Sequence, residues 1–270
     1  MERRTRRTAA LLLLLAAGLL PAACGKSDRT STVAASPAAP PGGAQSEGAG
    51  TPQPGARPWT RAQAQAFARA VNLTAADVPG FTVVPPSRLG ATPAERRLQA
   101  ETARCLGGSG TGGVTGAGSS AGLAEVSSPH FQREAGARSA SVSSEVNVSR
   151  TSALASRELA EIRSARTRAC LTRYMQQVLG RRAGGGVSSA VSVVGGNPPA
   201  AGTTGGFGWR ITVALAVRGA RIPVYLDILG FVYGPAEVSM FSSGLPEPFP
   251  AAAEEHLYSL LLKRATAQKL

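Results

Sequence analysis

A serine, an aspartate and a histidine are the residues with the clearest potential for covalent catalysis. The sequence "GSSAG" at residues 118–122 matches the Gly-x-Ser-x-Gly pattern of a nucleophilic serine, and Ser120, Asp227 and His256 follow the chain order of α/β-hydrolases. That pattern requires a buried strand leading into the serine, and the preceding "GGVTGAG" does not have the pattern of one. We therefore expect no enzymatic activity, with a secreted serine hydrolase that uses Ser120 as the alternative.

Cofactor and metal motifs are weak. The sequence "GSGTGG" at residues 108–113 matches Gly-x-Gly-x-x-Gly, but it follows a predicted helix, whereas a dinucleotide-binding loop follows a strand. His130 and His256 are the two histidines of the chain, and a solvated or capping role is the more common one for such residues. We expect neither a cofactor nor a metal site.

A cysteine near the N terminus predicts the attachment of a lipid. Four arginines precede an apolar run that ends in "LLPAACGKSD", the order of a secretory signal peptide covering residues 1–23. The run is too short to span a membrane. Ala22 and Ala23 before Cys24 resemble a bacterial lipobox, which predicts acylation of Cys24, palmitate included, and anchoring to the extracytoplasmic face of the cell membrane. The alternative is an ordinary signal peptide that leaves Cys24 as a free thiol, and both Sec and twin-arginine export stay open.

The other two cysteines predict a disulfide. The chain has three cysteines, and export to an oxidising compartment leaves an odd one unless Cys24 is acylated. Cys105 follows Leu98 by seven residues on one predicted helix, and Cys170 lies on the apolar side of another. We predict a Cys105–Cys170 disulfide, with two buried reduced thiols as the alternative.

Composition separates a tether from a folded domain. Residues 24–58 are rich in Gly, Pro, Ser and Ala and predict a disordered tether, so that the domain covers residues 59–270. Removal of residues 1–23 lowers the net charge from +13 to +10. Outside the cell this charge favours anionic lipids or cell-wall polymers over nucleic acid, although arginines on helices are most often simply solvated.

Local patterns predict an α+β domain in which an antiparallel meander packs against helices. Helices are predicted at residues 60–73, 92–105, 152–179 and 248–267. Strands are predicted at "FTVVP", "SASVSSEVNVS", "VSSAVSVVG", "GWRITVALAVR", "RIPVYLDILGFVY" and "AEVSMFSS". In "SASVSSEVNVS" the valines alternate with polar residues, so this strand is expected to be buried on one face only.

One acidic residue in an apolar strand predicts either an ion pair or a ligand site. Asp227 shares a face of its strand with Tyr225, Phe231 and Tyr233. A buried carboxylate is usually paired, here with an arginine from a covering helix. The functional alternative is a pocket in which the aromatic side chains and the acid orient a ligand.

The order of elements resembles a group of actinobacterial extracytoplasmic domains. It is similar to the sensor domain of PknH-type receptor Ser/Thr kinases and, more distantly, to PsbP-like lipoproteins. The resemblance rests on a cysteine in each of two helices, on "SVSSEVNVS" and on "FVYGPAEVSMFSSGLPEPFP". It implies a ligand cleft and a non-catalytic, sensor-like or interaction module, with a structural scaffold of the cell envelope as the alternative.

Overall fold

The computed structural model describes residues 59–85, 93–105, 122–182, 188–217 and 220–268. The predicted signal peptide and tether lie outside the described residues, and so do Cys24 and Ser120. Among the described residues, no helix is long and apolar enough to cross a membrane.

The described residues form five α-helices and eight strands. The helices are α1 (Arg61–Val71), α2 (Pro93–Cys105), α3 (Ser152–Ile162), α4 (Ala165–Arg182) and α5 (Ala251–Ala267). The strands are β1 (Thr82–Val84), β2 (Gly122–Ser127), β3 (His130–Ala135), β4 (Arg138–Ser149), β5 (Ser188–Gly196), β6 (Gly205–Val217), β7 (Ala220–Tyr233) and β8 (Ala236–Leu245).

All strands belong to one antiparallel sheet. Its order is β1-β3-β4-β8-β7-β6-β5, and β2 lies beside the second half of β4, after β3 has paired with the first half. Strands β5 to β8 form the predicted meander. The predicted fold class, α+β with an antiparallel sheet packed against helices, is confirmed.

Helices cover both faces of the sheet. On one face Phe231 of β7 belongs to a core shared with α1 and α5. On the other face Ile228 and Val232 belong to a core shared with α3 and α4. Strand β7 is therefore buried on both faces, which its apolar sequence favours.

The ends of the first and last helices follow the local sequence. Thr60 and Gln63 form a capping box at α1, in which each side chain accepts a hydrogen bond from the backbone N–H of the other residue. In α5, Glu254 lies in the first turn and Arg264 in the last, which suits the helix dipole. Arg264 also pairs with Asp77, at 2.7 Å from Nη2 to Oδ1, and so joins α5 to the segment after α1.

The long helix predicted at residues 152–179 is wrong, because the structure has two helices there. The chain breaks between Ile162 and Ala165, where the Ser164 hydroxyl accepts a hydrogen bond from the Thr167 N–H at 3.1 Å. A serine that caps the next helix competes with continuation of the preceding one. The Thr167 hydroxyl donates to the carbonyl of Glu161 across the break.

Strand β4 also differs from expectation, because it is buried on both faces. All residues from 141 to 149 are buried, including the polar face that the alternation predicted to be solvated. Strands β2 and β3, which pair with β4, were not predicted. Their residues follow the glycine-rich stretch and lack a strong alternating pattern.

The predicted disulfide is confirmed. Cys105 at the end of α2 and Cys170 in α4 are bonded, with their Cα atoms 5.9 Å apart and a separation of 65 positions in the sequence. The bond joins α2 to a helix that packs directly on the sheet. An oxidised pair is typical of exported proteins.

Replacing both cysteines by serine should lower the free energy of unfolding by about 4 kcal/mol, because the bond closes a long loop in the unfolded chain. Urea unfolding with and without a reductant measures the difference. The reductant should destabilise the natural chain and leave the double variant unchanged. Equal effects on the two proteins would contradict the disulfide.

Candidate functional site

Asp227 forms an ion pair, which is the more common of the two arrangements that the sequence predicted. Its carboxylate accepts two hydrogen bonds from Arg210, at 2.7 Å from Nε to Oδ1 and 3.1 Å from Nη2 to Oδ2. The arginine comes from the neighbouring strand β6, where it faces Asp227 directly, and not from a covering helix as expected. Asp227 is 4% exposed, while the Arg210 side chain is 54% exposed.

A second carboxylate extends this ion pair. Glu254 of α5 lies 3.7 Å from Nη2 of Arg210 and accepts a hydrogen bond from the Ser242 hydroxyl. Burial raises the pKa of Glu254, with the nearby Asp227 carboxylate adding to the effect. The charge of Asp227 is therefore already engaged within the fold, in a cluster that fixes the start of α5 against the sheet.

Two of the aromatic residues of the predicted pocket pack against other aromatic rings, and the third is only partly buried. Phe231 is completely buried and meets Tyr258 edge to face, with ring centres 5.8 Å apart. Tyr233 stacks on Phe67, and its hydroxyl donates to the carbonyl of Gln268. Tyr225 is half-buried. Ligand binding by these residues stays a prediction, and the strongest candidate site lies elsewhere on the sheet.

The two histidines lie on different elements of the fold. His256 is exposed on α5, while His130 begins β3, where burial lowers its pKa. Among the described residues no group of three His, Cys, Asp or Glu side chains is placed to hold a metal ion.

Four glutamates lie together on the face of the sheet that α3 covers. We call them the acidic face: Glu125 of β2, Glu145 of β4, Glu237 of β8 and Glu158 of α3. Glu125 is exposed at the edge of the sheet, whereas Glu145 and Glu237 are only 6% and 3% exposed. The row therefore leads from solvent into the interior.

The strand register sets the spacing of these carboxyl groups. Asn147 of β4 stands opposite Glu125 on one side and Glu237 on the other, so these two glutamates are two strand spacings apart, about 10 Å. Glu145 precedes Asn147 by two residues and lies on the same face of the sheet. It stands between two hydroxyl residues, Ser127 and Ser239.

Hydroxyl groups donate hydrogen bonds to some of the carboxyl groups of the acidic face. Ser149 donates to Glu158 at 2.8 Å, and Ser239 donates to Glu237 at 3.1 Å. Glu145 receives only a long bond, 3.4 Å from the Ser127 hydroxyl to Oε2, and its Oε1 atom is buried with no partner. In the described part of the chain, no Arg, Lys or His forms an ion pair with any of the four glutamates.

The environment raises the pKa values of all four groups. Burial raises the pKa of Glu145 to about 9, and repulsion from Glu125 and Glu237 adds to the shift. Burial raises the pKa of Glu237 to about 7, with a further contribution from Glu158. At neutral pH the interior end of the row therefore holds protons that a bound cation could displace.

Sequence analysis did not find this site. Glu145 and Asn147 were assigned to a solvated strand face, and the strand that carries Glu125 was not predicted. The available signal was a glutamate in each of two strand segments, "SSEVNVS" and "GPAEVSM". Their proximity depends on the pairing of β4 with β8, which joins residues about 90 positions apart in sequence.

Comparisons with known proteins give limited information. No family model matches the sequence, and no curated protein matches it. Among solved structures, the chain is similar to the crystal structure of the extracellular domain of PknH from Mycobacterium tuberculosis, with a TM-score of 0.40 and 8% identity. The match covers 79% of this chain and 100% of that one. These values are too low to transfer a site or a function.

Replacing Glu145 by Gln should stabilise the protein increasingly as the pH rises from about 4.5 to 9. The folded chain binds the Glu145 proton more tightly than the unfolded chain does, so the natural protein loses stability over this range and the variant does not. The difference at pH 8 should be on the order of 5 kcal/mol, from about 1.4 kcal/mol for each pH unit above 4.5. Urea unfolding at a series of pH values measures it.

A matched control is Glu255→Gln on the exposed side of α5, which should follow the natural pH dependence. A constant difference between Glu145→Gln and the natural chain across the range would show that Glu145 does not titrate in a buried site.

Proposed function

We propose that this protein is a lipid-anchored, extracytoplasmic binding module that takes a positively charged ligand at the acidic face. The observation that carries the proposal is the buried carboxyl group of Glu145, which has one oxygen without a partner and lies among three other glutamates. A buried carboxyl without a partner is costly, and a ligand that supplies the missing donor would remove that cost.

The chemistry of the site favours an ammonium group. Carboxylates, hydroxyls and the Asn147 amide form a row rich in hydrogen-bond acceptors that runs from the exposed Glu125 into the interior, and this row is about 10 Å long. An organic cation with two ammonium groups several carbon atoms apart fits this length. The exposed carboxylate of Glu125 would meet the ligand first and attract it towards Glu145.

The export signal, the predicted acylation of Cys24 and the disulfide support an extracytoplasmic site of action. The predicted tether of 35 residues would have a root-mean-square length of roughly 30 Å, which lets the domain turn its acidic face away from the membrane. Ligands arriving from outside the cell would then reach the acidic face.

The anchor is tested by expressing the full chain in a bacterial host that processes lipoproteins. The natural chain should be found in the membrane fraction, with a diacylglyceryl mass on an N-terminal peptide that begins at Cys24. Cys24→Ala should abolish the modification, while Ser27→Ala is the matched control and should keep it. A mature chain that begins at another residue, or that carries no acyl mass, would overturn the anchor.

Ligand binding is tested with putrescine as a divalent organic cation and 1,4-butanediol as its uncharged analogue. Putrescine should raise the melting temperature, and calorimetry in buffers of different ionisation enthalpy should detect released protons, since a cation lowers the pKa of Glu145. Affinity should rise with pH up to about 9.

The double variant Glu145→Gln, Glu237→Gln should lose both effects, whereas Glu255→Gln should keep them. If sodium chloride at equal ionic strength stabilises the chain as much as putrescine, the effect is screening and the acidic face binds no cation. The same conclusion follows if the double variant responds like the natural chain.

A further inference from the structure

A groove separate from the acidic face lies between α4 and the edge strand β5. Its volume is about 450 Å³. It is lined by one stripe of α4 and by one residue of β5, with no acidic residue among them: Ala165, Arg168, Ala169, Thr172, Arg173 and Gln176 with Val193. The sequence alone indicated no more than solvated arginines on this helix.

The two arginines of the groove are exposed and available. In the described ranges of the chain, neither Arg168 nor Arg173 forms an ion pair. Their neighbours differ, because Arg163 donates to the carbonyl of Gly206 and Arg166 donates to that of Cys105 at 2.7 Å. Arg163 and Arg166 therefore make the hydrogen bonds that join this end of the helix to the rest of the protein.

The residues that line the groove suit an anion. The small residues Ala165 and Ala169 lie one helical turn apart and, around the helix, between the positions of Arg168 and Arg173. Ala165 is also the first residue of an 18-residue helix, the end at which the helix dipole is positive. Guanidinium groups bind phosphate oxygens through two hydrogen bonds, and the Gln176 amide adds a further donor.

The helix that carries this groove is held firmly. Cys170, on its buried side, is bonded to Cys105, and Leu171 and Met175 pack into the core under the sheet. The two arginines therefore project from a rigid element, which limits the entropy lost when they bind a ligand.

We propose that this groove binds the phosphate groups of anionic phospholipid headgroups and so docks the domain on a membrane surface. The net charge of +10 in the chain without residues 1–23 favours approach to such a surface. With the proposed lipid anchor, a tether of roughly 30 Å keeps headgroups at high effective concentration, so a weak contact suffices. The groove itself does not depend on the anchor or on the acidic face.

The test uses the exported chain carrying Cys24→Ser, so that no acyl group contributes. Cosedimentation should show binding to vesicles of equal parts phosphatidylglycerol and phosphatidylcholine, and little binding to phosphatidylcholine alone. The double variant Arg168→Gln, Arg173→Gln should bind roughly thirtyfold more weakly, from about fivefold for each basic residue lost at the surface. Arg168→Lys, Arg173→Lys should retain most of the binding.

The matched control is Arg61→Gln, Arg69→Gln, which removes the same charge from exposed positions of α1 on the other side of the sheet. It should bind within about threefold of the natural chain, because those charges lie beyond the screening length. Equal losses of vesicle binding in the two double variants would overturn the proposal that the groove binds the membrane. If inorganic phosphate raises the melting temperature more than chloride at equal ionic strength, but vesicles do not bind, the groove takes soluble phosphate and the membrane proposal is wrong.

Discussion

Strand β7 is covered by helices on both faces, and this leaves the central strands without a fully solvated face for their polar residues. Every charged or hydroxyl group on the central strands must then find a partner inside the protein, because an unpaired buried group costs free energy. Asp227 meets this requirement through Arg210 on the neighbouring strand, and Ser141 meets it through Ser243. Glu145 does not, and this exception singles out the acidic face.

The two proposed sites have opposite charge and lie at opposite ends of one sheet face. The acidic face is built on β2, β4 and β8, and the arginine groove lies beside β5. Three strand spacings, about 15 Å, separate β8 from β5 in the sheet. Helix α3 and its core lie on the same face of the sheet.

The path of the chain allows the groove beside β5 to meet a membrane while the acidic face stays open to solvent. Residue Trp59, where the described domain begins, packs on Phe67 of α1, on the sheet face opposite the arginine groove. The predicted tether, residues 24–58, would join at this face and would have to pass around the domain for the groove to meet lipid; a chain of 35 residues is long enough. The exposed edge at Glu125 is formed by β2, at the end of the sheet away from the groove.

Features that depend on neighbours along the chain were predictable from the sequence. The capping box at Thr60, the buried strand β7, the polarity of α5 and the cysteine pair each follow from local spacing or from counting. The break at Ser164 also had a local signal, because a serine can cap the next helix. The apolar residues continue at helical spacing on both sides of it, however, and this pattern predicts one long helix.

The tertiary structure alone decided which polar residues are buried and what they contact. The alternation in β4 correctly separated its valines from its polar residues, but it could not show that α3 and β8 would bury Glu145 as well. Likewise, Asp227 predicted a partner without identifying Arg210 on the next strand. The physical reason is that side-chain periodicity records the direction in which a residue points, whereas burial depends on elements that are distant in sequence and close only after folding.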